Sequence, residues 1–407
     1  MKKKMLIMMN SMGIGGVEKA LLNLLRVLDK DDFEVTILFL DKNGEYLKEI
    51  PEWVHVCEVG LTENDKKLVR RGVKALIFER IKTFKLISIV RILLSLLSEK
   101  VISKKKASGS IVFEEIGKNI RELDMNFDVA LDFHGYSSFT TYIVAEKIKA
   151  TVKATWLHSS NFDQSLKKFS LYYDKYDKVF GVSKYCIEKF VGIFPNYKNK
   201  CETFYNIVMT DEILVKAKSE INIKEYKENL NQVIIATVGR LAFQKGYDLA
   251  LLVASRLKKD GFDFKWLVIG EGSHRENLET LIKEYDLSDI FILLGSIENP
   301  YPFIEQSDIY VQPSRWEGYC TTLTEAAILK KPIVTTNVSG AMEQVNNFET
   351  GLVVEIEEME IYNAIKKLLL DKDLRSKFES NLAKNKVDTT KELIKLYDLA
   401  NKEVKSI

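Results

Sequence analysis

Short apolar runs alternate along this chain with segments whose apolar positions recur every three or four residues. An unbroken apolar run suits a strand buried on both faces, whereas the wider spacing lays one apolar stripe along a helix. In the first half the runs at Met5–Met9, Val35–Leu40, Val54–Cys57, Val129–Asp132, Thr151–Leu157, Lys178–Val182 and Glu202–Tyr205 read as strands. In the second half they are Val233–Val238, Phe264–Ile269, Ile290–Leu294, Asp308–Gln312, Pro332–Thr335 and Gly351–Val354. Helical patterns fill the gaps, Asp248–Lys259 and Arg275–Tyr285 among them, and Lys391–Ile407 is helical by the same criterion. Such alternation predicts an α/β protein with parallel sheets wrapped by helices.

Two sets of runs predict two Rossmann-like domains, and 407 residues exceed one ordinary core. The predicted division is 1–206, 207–386 and a terminal helix over 387–407. The junction near 206–230 is highly charged from Asp211 to Glu228 and holds no Pro or Gly, which predicts a solvated helix plus a linker. No solenoid-period repeat or low-complexity tract is visible.

A net charge of +2 gives no global field for nucleic acid. Cys57, Cys186, Cys201 and Cys320 are scattered, with no CxxC and no His at metal spacing, so structural zinc is not expected and a reduced, cytoplasmic compartment is. Met5–Met9 is too short for a signal peptide and reads as a first buried strand. One stretch departs from this balance. Residues 66–106 carry thirteen Lys/Arg against Glu79 and Glu99, around the apolar run from Phe84 to Leu97, which Lys85 and Arg91 interrupt. About 20 apolar residues are needed to span a bilayer, so this basic amphipathic insert is expected to lie on an anionic membrane, peripherally at its inner face. The alternative is a core helix with a solvated basic rim.

The candidate chemistry starts with Glu317 and Glu325. Glu317 follows the strand that ends near Pro313, and Glu325 lies about one turn into a helix predicted over 321–330. Ligands of open α/β sheets bind at the strands' carboxyl edge, and helix N-termini favour phosphate while carboxylates hold hydroxyls. The pair therefore suits a polyhydroxylated, phosphate-bearing ligand, or else is two surface glutamates near a helix start. Upstream, Arg240 and Lys245 occupy a loop after another strand, where two cations suit a diphosphate. The loop Gly13-Ile14-Gly15-Gly16 follows the first strand, but Glu18 stands where the dinucleotide fingerprint needs Gly, which disfavours NAD. His158 and His134 each follow a strand; either can be a site residue or a buried, hydrogen-bonded core histidine. His274 opens a helix and reads as surface. The triplets Asp29-Lys-Asp31 and Asp371-Lys-Asp373 fall at helix-end turns, where Asp serves local hydrogen bonds, so no essential metal is expected.

Together, Gly239-Arg240, Lys245-Gly246, Gly270-Glu271-Gly272, Asn299-Pro300 and Glu317-x7-Glu325 resemble the retaining glycosyltransferases of family 4, within the GT-B group. The likeness runs through about 230–345 and is weaker at Gly13–Ala20, Trp156-Leu-His-Ser, Gly181-Val-Ser-Lys and Tyr205-Asn-Ile-Val. It implies a GT-B fold, two Rossmann-like domains facing across a cleft, with an acceptor-binding first domain, a donor-binding second domain and a terminal helix crossing back to the first. It implies transfer of a hexose or N-acetylhexosamine from a nucleotide diphosphate sugar, UDP first and GDP second, to a glycan, lipid-linked or polymer acceptor of the cell envelope. No cofactor or metal is implied. Arg240 and Lys245 would meet the leaving diphosphate, Glu317 the donor sugar's hydroxyls, Glu325 the ribose hydroxyls and His158 the transferred sugar. Gly16, Gly239, Gly272, Gly318, Tyr319, Cys320 and Thr321 would line the donor. Many members have glycine at Cys320, which is expected here to be a small ordered side chain and no nucleophile. The alternatives are a non-catalytic partner subunit or a nucleotide-sugar epimerase of the same fold; a pyridoxal phosphorylase would need a Schiff-base lysine motif and a far longer chain.

Overall fold

The computed structural model of the protein describes residues 2–84, 88–90, 92, 108–120, 125–135, 138–162, 164–226, 228–229 and 231–401. It divides into two units, Met1–Val182 with Cys186–Tyr205 and Lys391–Ile407, and Ser183–Tyr185 with Asn206–Thr390.

The first unit holds a seven-stranded sheet in the order β3-β2-β1-β4-β5-β6-β7. Its strands are β1 (Lys3–Met9), β2 (Phe33–Phe39), β3 (His55–Glu58), β4 (Asn126–Asp132), β5 (Lys149–Leu157), β6 (Lys178–Gly181) and β7 (Cys201–Thr203). Every pair is parallel, with Met5 opposite Val35 on one side and Val129 on the other. The second unit holds a six-stranded parallel sheet in the order β10-β9-β8-β11-β12-β13. These are β8 (Val233–Val238), β9 (Phe264–Ile269), β10 (Phe291–Gly295), β11 (Ile309–Gln312), β12 (Ile333–Thr336) and β13 (Gly351–Val354). All thirteen predicted strands are present, displaced by at most a few residues. Covered on both faces by helices, they admit few polar side chains, and that is why they read as unbroken apolar runs.

Each sheet grows outward in two directions from its centre. The order reverses between β1 and β4 in one unit and between β8 and β11 in the other. Loops leaving such neighbouring strands depart to opposite faces and open a crevice at the carboxyl edge. The loops after β1 and β4, and after β8 and β11, are therefore where this topology can hold a ligand.

Two local expectations change, at the junction and in the basic insert. The helix Thr210–Lys216 at the junction is not simply solvated: Ile213 and Ala217 are buried against Tyr301, Leu323 and Ile328. An apolar stripe through Val208, Ile213 and Ala217 was hidden by the surrounding charge. At the chain end, a 3-10 turn over Thr390–Leu393 leads into the helix Ile394–Ala400. This segment packs within the first unit, where Glu392 accepts from Tyr205 N at 3.1 Å, Lys395 donates to Thr203 O at 2.7 Å, and Tyr397 donates to Asp32 at 2.8 Å. Residues 402–407 lie outside the described residues.

The basic insert is only partly described, since 85–87, 91 and 93–107 lie outside. The described part includes two helices, Glu63–Arg71 and Val73–Lys82, broken at Gly72. Lys66 is not a solvated cation but is buried, with Nζ 2.8 Å from Asp41, 3.0 Å from Glu58 and 3.0 Å from Glu63. The hydrogen bond to Asp41 comes first among the contacts that hold this ammonium above its ordinary range, against the pull of burial. Arg80 is buried too. Phe78, Ile81 and Phe84, by contrast, are 69%, 55% and 86% exposed, beside exposed Lys74 and Lys82. Among the described residues no helix is long and apolar enough to cross a membrane.

Candidate functional site

In the second unit, β8 ends at Val238 and the chain turns through Gly239 and Arg240 to Leu241, which is wholly buried and anchors the loop. Leu241 N donates to Glu271 O at 2.9 Å, and Gly272 packs so close that a Cβ on it would fall 2.3 Å from Leu241 O. A 3-10 turn, Phe243–Lys245, then ends at Gly246, whose φ of +69° is left-handed. A Cβ at Gly246 would lie 2.0 Å from Pro313 O, so this loop and the one after β11 pass closer than any side chain permits.

From β11 the chain runs through Pro313 to Cys320 and into the helix Thr321–Ile328. Glu317 is 6% exposed, and its Oε1 accepts from Lys245 Nζ at 2.7 Å and from Ser314 Oγ at 2.6 Å. Behind Ser314 the donors continue in line: Gln312 Nε2 to Ser314 Oγ at 2.9 Å, then Tyr310 OH to Gln312 Oε1 at 2.9 Å, with Thr322 Oγ1 on the same oxygen at 3.2 Å. The line is aimed at Glu317 and fixes the carboxylate's orientation from behind.

Burial pulls the Lys245 ammonium down, but the Glu317 carboxylate more than offsets this and leaves its pKa above the ordinary lysine value; Arg240 opposes it slightly. Arg240 itself is exposed. Two cations close enough to repel each other are relieved by an anion placed between them. Cys320 is buried, and desolvation, seconded by Glu317, pushes its thiol up to about 11. It is therefore a thiol at neutral pH, with Sγ 3.1 Å from Thr322 Oγ1.

The remaining predicted residues of this unit fall around the same loops. Gly239 lies over the Lys245 side chain, where a Cβ would be 3.4 Å from Lys245 Cε. Gly318 O accepts from Ser339 Oγ at 3.0 Å, Tyr319 rests against Gly340, and Thr321 opens the helix. Glu325, one turn further on, is 2% exposed and accepts from Tyr301 OH at 3.3 Å.

The first unit places its candidates at the matching edge of its own sheet. Gly16 begins the helix Gly16–Val27 after β1, and a Cβ there would meet nothing within 4 Å, so the fold of this unit does not itself demand glycine. Asp132, at the end of β4, is fully buried and accepts from Thr140, Thr141 and Thr155 hydroxyls at 2.8, 2.7 and 2.9 Å and from Gly135 N at 3.0 Å. That clasp fixes the turn carrying Phe133 and His134. His158 Nε2 lies 2.7 Å from Phe133 O. A carbonyl only accepts, so Nε2 carries the hydrogen and Nδ1 of the neutral ring is an acceptor. Burial lowers the His158 pKa to about 3, and it also lowers that of His134, whose Nδ1 is buried without a hydrogen-bond partner.

A test follows from His158. Its folded pKa lies below its unfolded value, so the unfolded chain binds more protons between those values. Stability should hold above about pH 6.5 and fall as pH drops below it, by at most about 1.4 kcal/mol per pH unit from this group. Thermal unfolding from pH 4.5 to 7.5 should show this slope reduced in His158→Gln; an identical slope would contradict a neutral His158.

Among the described residues no group of three or more His, Cys, Asp or Glu is placed to hold a metal ion. Both Asp-x-Asp triplets serve local bonds, Asp31 N to Asp29 Oδ1 at 2.8 Å and Leu374 N to Asp371 Oδ1 at 2.8 Å. The sequence reading missed Tyr310, Gln312, Ser314 and Thr322. The one available signal was the polar pair Gln312 and Ser314 closing an apolar strand.

Residues 218–385 match the family described as glycosyl transferases group 1. Over 382 residues, 93% of both chains, the protein is 28% identical to the N-acetylgalactosamine-N,N'-diacetylbacillosaminyl-diphospho-undecaprenol 4-alpha-N-acetylgalactosaminyltransferase of Campylobacter jejuni. It is 32% identical over 168 residues to the capsular polysaccharide biosynthesis glycosyltransferase CapM of Staphylococcus aureus, 39% of this chain and 42% of that one. Its fold is similar to that of a glycosyltransferase from Rickettsia africae, with TM-score 0.70 and 18% identity over 99% of this chain and 100% of the other. It is also similar to Anabaena HepE, solved in complex with UDP and glucose, with TM-score 0.69 and 15% identity over 97% and 98%.

Proposed function

We propose that this glycosyltransferase of GT-B fold, whose residues 218–385 match the group 1 family, moves a hexose or N-acetylhexosamine from a nucleotide diphosphate sugar to a lipid-linked or polymeric envelope glycan. The observation that carries this reading is the ion pair of half-buried Lys245 with buried Glu317, set beside exposed Arg240 and the N-terminus of Thr321–Ile328, on the two loops that flank a sheet's switch point. When the C1–O bond of such a donor breaks, negative charge grows on the departing diphosphate. Fixed cations that meet it lower the barrier. Arg240 and Lys245 take that role, and Glu317 holds the donor sugar's hydroxyls. Glu325 serves the ribose, while Gly239, Gly272 and the backbone of Gly318, Tyr319, Cys320 and Thr321 line the donor. In the first unit, Gly16 offers backbone that a ligand can approach closely, and His158 offers Nδ1 to a sugar hydroxyl. The acceptor's oxygen takes the diphosphate's place at C1 with retention of configuration, and its proton leaves with the diphosphate. The donor is a substrate, and the step uses no cofactor and no metal.

UDP is the proposed nucleotide; the solved UDP complex of the similarly folded Anabaena protein supports it. The lipid-linked acceptor is supported by the Campylobacter relative, whose name specifies a diphospho-undecaprenol substrate. A thermal-shift panel of UDP, GDP and ADP tests the donor site. UDP should raise the melting temperature, and no shift with any of the three would count against a nucleoside diphosphate site.

Access to such an acceptor places the enzyme on a membrane surface. Exposed Phe78, Ile81 and Phe84 beside Lys74 and Lys82 supply the apolar and basic contacts, at roughly 1 kcal/mol per basic residue near an anionic surface. Binding to vesicles containing phosphatidylglycerol should exceed binding to phosphatidylcholine vesicles at least tenfold, and Phe78→Ser with Ile81→Ser should reduce it. Equal binding to both kinds of vesicle would remove the docking surface.

A further inference from the structure

Arg315 is the most heavily engaged cation of these loops. Its guanidinium is bidentate on Asp248, with Nη1 at 2.7 Å from Oδ1 and Nη2 at 2.7 Å from Oδ2. Nη1 also donates to Phe243 O at 2.9 Å, and Cζ lies over the Phe243 ring, 4.0 Å from its centre. Arg315 N donates to Gln244 O at 2.7 Å, and Gln244 returns the contact by donating from Nε2 to Trp316 O at 2.9 Å. The turn Phe243–Lys245 is thus gripped on both sides of Lys245: at Phe243 and Gln244 before it, and at Asp248 after it. Burial raises the Asp248 pKa, but the Arg315 bonds outweigh this and hold it below the usual carboxylate range, so the clamp stays ionised at neutral pH.

We propose that Arg315 is a positioning residue whose clamp on Phe243, Gln244 and Asp248 sets where Lys245 stands against the donor diphosphate. The inference rests on the donor-site reading above. A guanidinium is suited to this because one rigid plane supplies a fork to a carboxylate, a further donor to a carbonyl and a face for an aromatic ring; lysine supplies none of the three together. The clamp holds a turn of only three residues, so loosening it should displace the ammonium without unfolding the sheet. Small displacements of a positioned charge are costly, with about 1 Å able to cost 10²-fold.

A double-mutant cycle on UDP affinity, followed by calorimetric titration of the full chain, separates positioning from simple stability. Arg315→Gln should weaken UDP binding about tenfold in the wild-type background and leave it unchanged in Lys245→Ala. Arg315→Lys should fail to restore it, and Asp248→Asn, which opens the clamp from its other end, should reproduce the pattern should Arg315→Gln fold poorly. Equal weakening in both backgrounds would mean a merely structural role and overturn the proposal. So would wild-type affinity in Arg315→Gln. If UDP, GDP and ADP all fail to bind the wild-type protein, the donor-site reading falls and this inference falls with it.

Discussion

Replacing Arg240 and Lys245 together with alanine should lower turnover by about 10²-fold or more while the chain still folds. Each cation is proposed to make a charge-assisted contact with phosphate, and such bonds contribute about 1.5–3 kcal/mol each. Two together correspond to roughly 10²–10⁴ in rate. The single variants should differ in a diagnostic way. Arg240 is exposed, so Arg240→Ala should lose activity with little change in melting temperature. Lys245 is paired with buried Glu317, and removing it leaves that carboxylate without its 2.7 Å partner. Breaking a buried pair costs about 3–5 kcal/mol, so Lys245→Ala should lose both activity and stability. Release of nucleoside diphosphate, measured beside thermal unfolding, gives both readouts. Near-normal turnover in the double variant would contradict the assignment.

Gly246→Ala should be nearly as damaging, for a different reason. A left-handed φ of +69° costs an L-residue about 1 kcal/mol. The larger effect is the methyl itself, which would sit 2.0 Å from Pro313 O, a backbone atom that cannot rotate away. The two loops would have to part, carrying Lys245 away from Glu317. Turnover should fall about 10²-fold, with the melting temperature down by several degrees. Gly261→Ala is the matched control, because Gly261 has a φ of +81° but open space around its Cβ position. It should cost some stability and no activity. If the two variants behaved alike, the close approach of the loops would have no functional weight.

The strands were legible because most of them are buried on two faces, and burial of that kind leaves little room for polar interruption. The Glu317–Glu325 spacing was legible for a related reason: a strand end, a Gly-containing turn and a helix start are each marked locally. What escaped was long-range. Nothing in the sequence pairs Arg315 with Asp248, 67 positions earlier. The Ser314–Glu317 bond spans only three positions, yet it depends on the conformation of an irregular loop. Charge counting misled at Lys66, since a lysine in a basic stretch reads as solvated until Asp41 and Glu58 arrive from other parts of the fold. It misled again at Ile213, buried within a segment that charge had marked as solvent-facing.

The most direct measurement of the proposed transfer is an assay with sugar-labelled UDP-hexose and UDP-N-acetylhexosamine, using a bacterial membrane extract as acceptor. Label should move from the nucleotide to lipid-extractable or polymeric glycan, with one nucleoside diphosphate released per sugar transferred. Donor that binds yet is never consumed, with any acceptor supplied, would identify a binding subunit and contradict it; label that stays on the nucleotide as an epimerised sugar would contradict it equally.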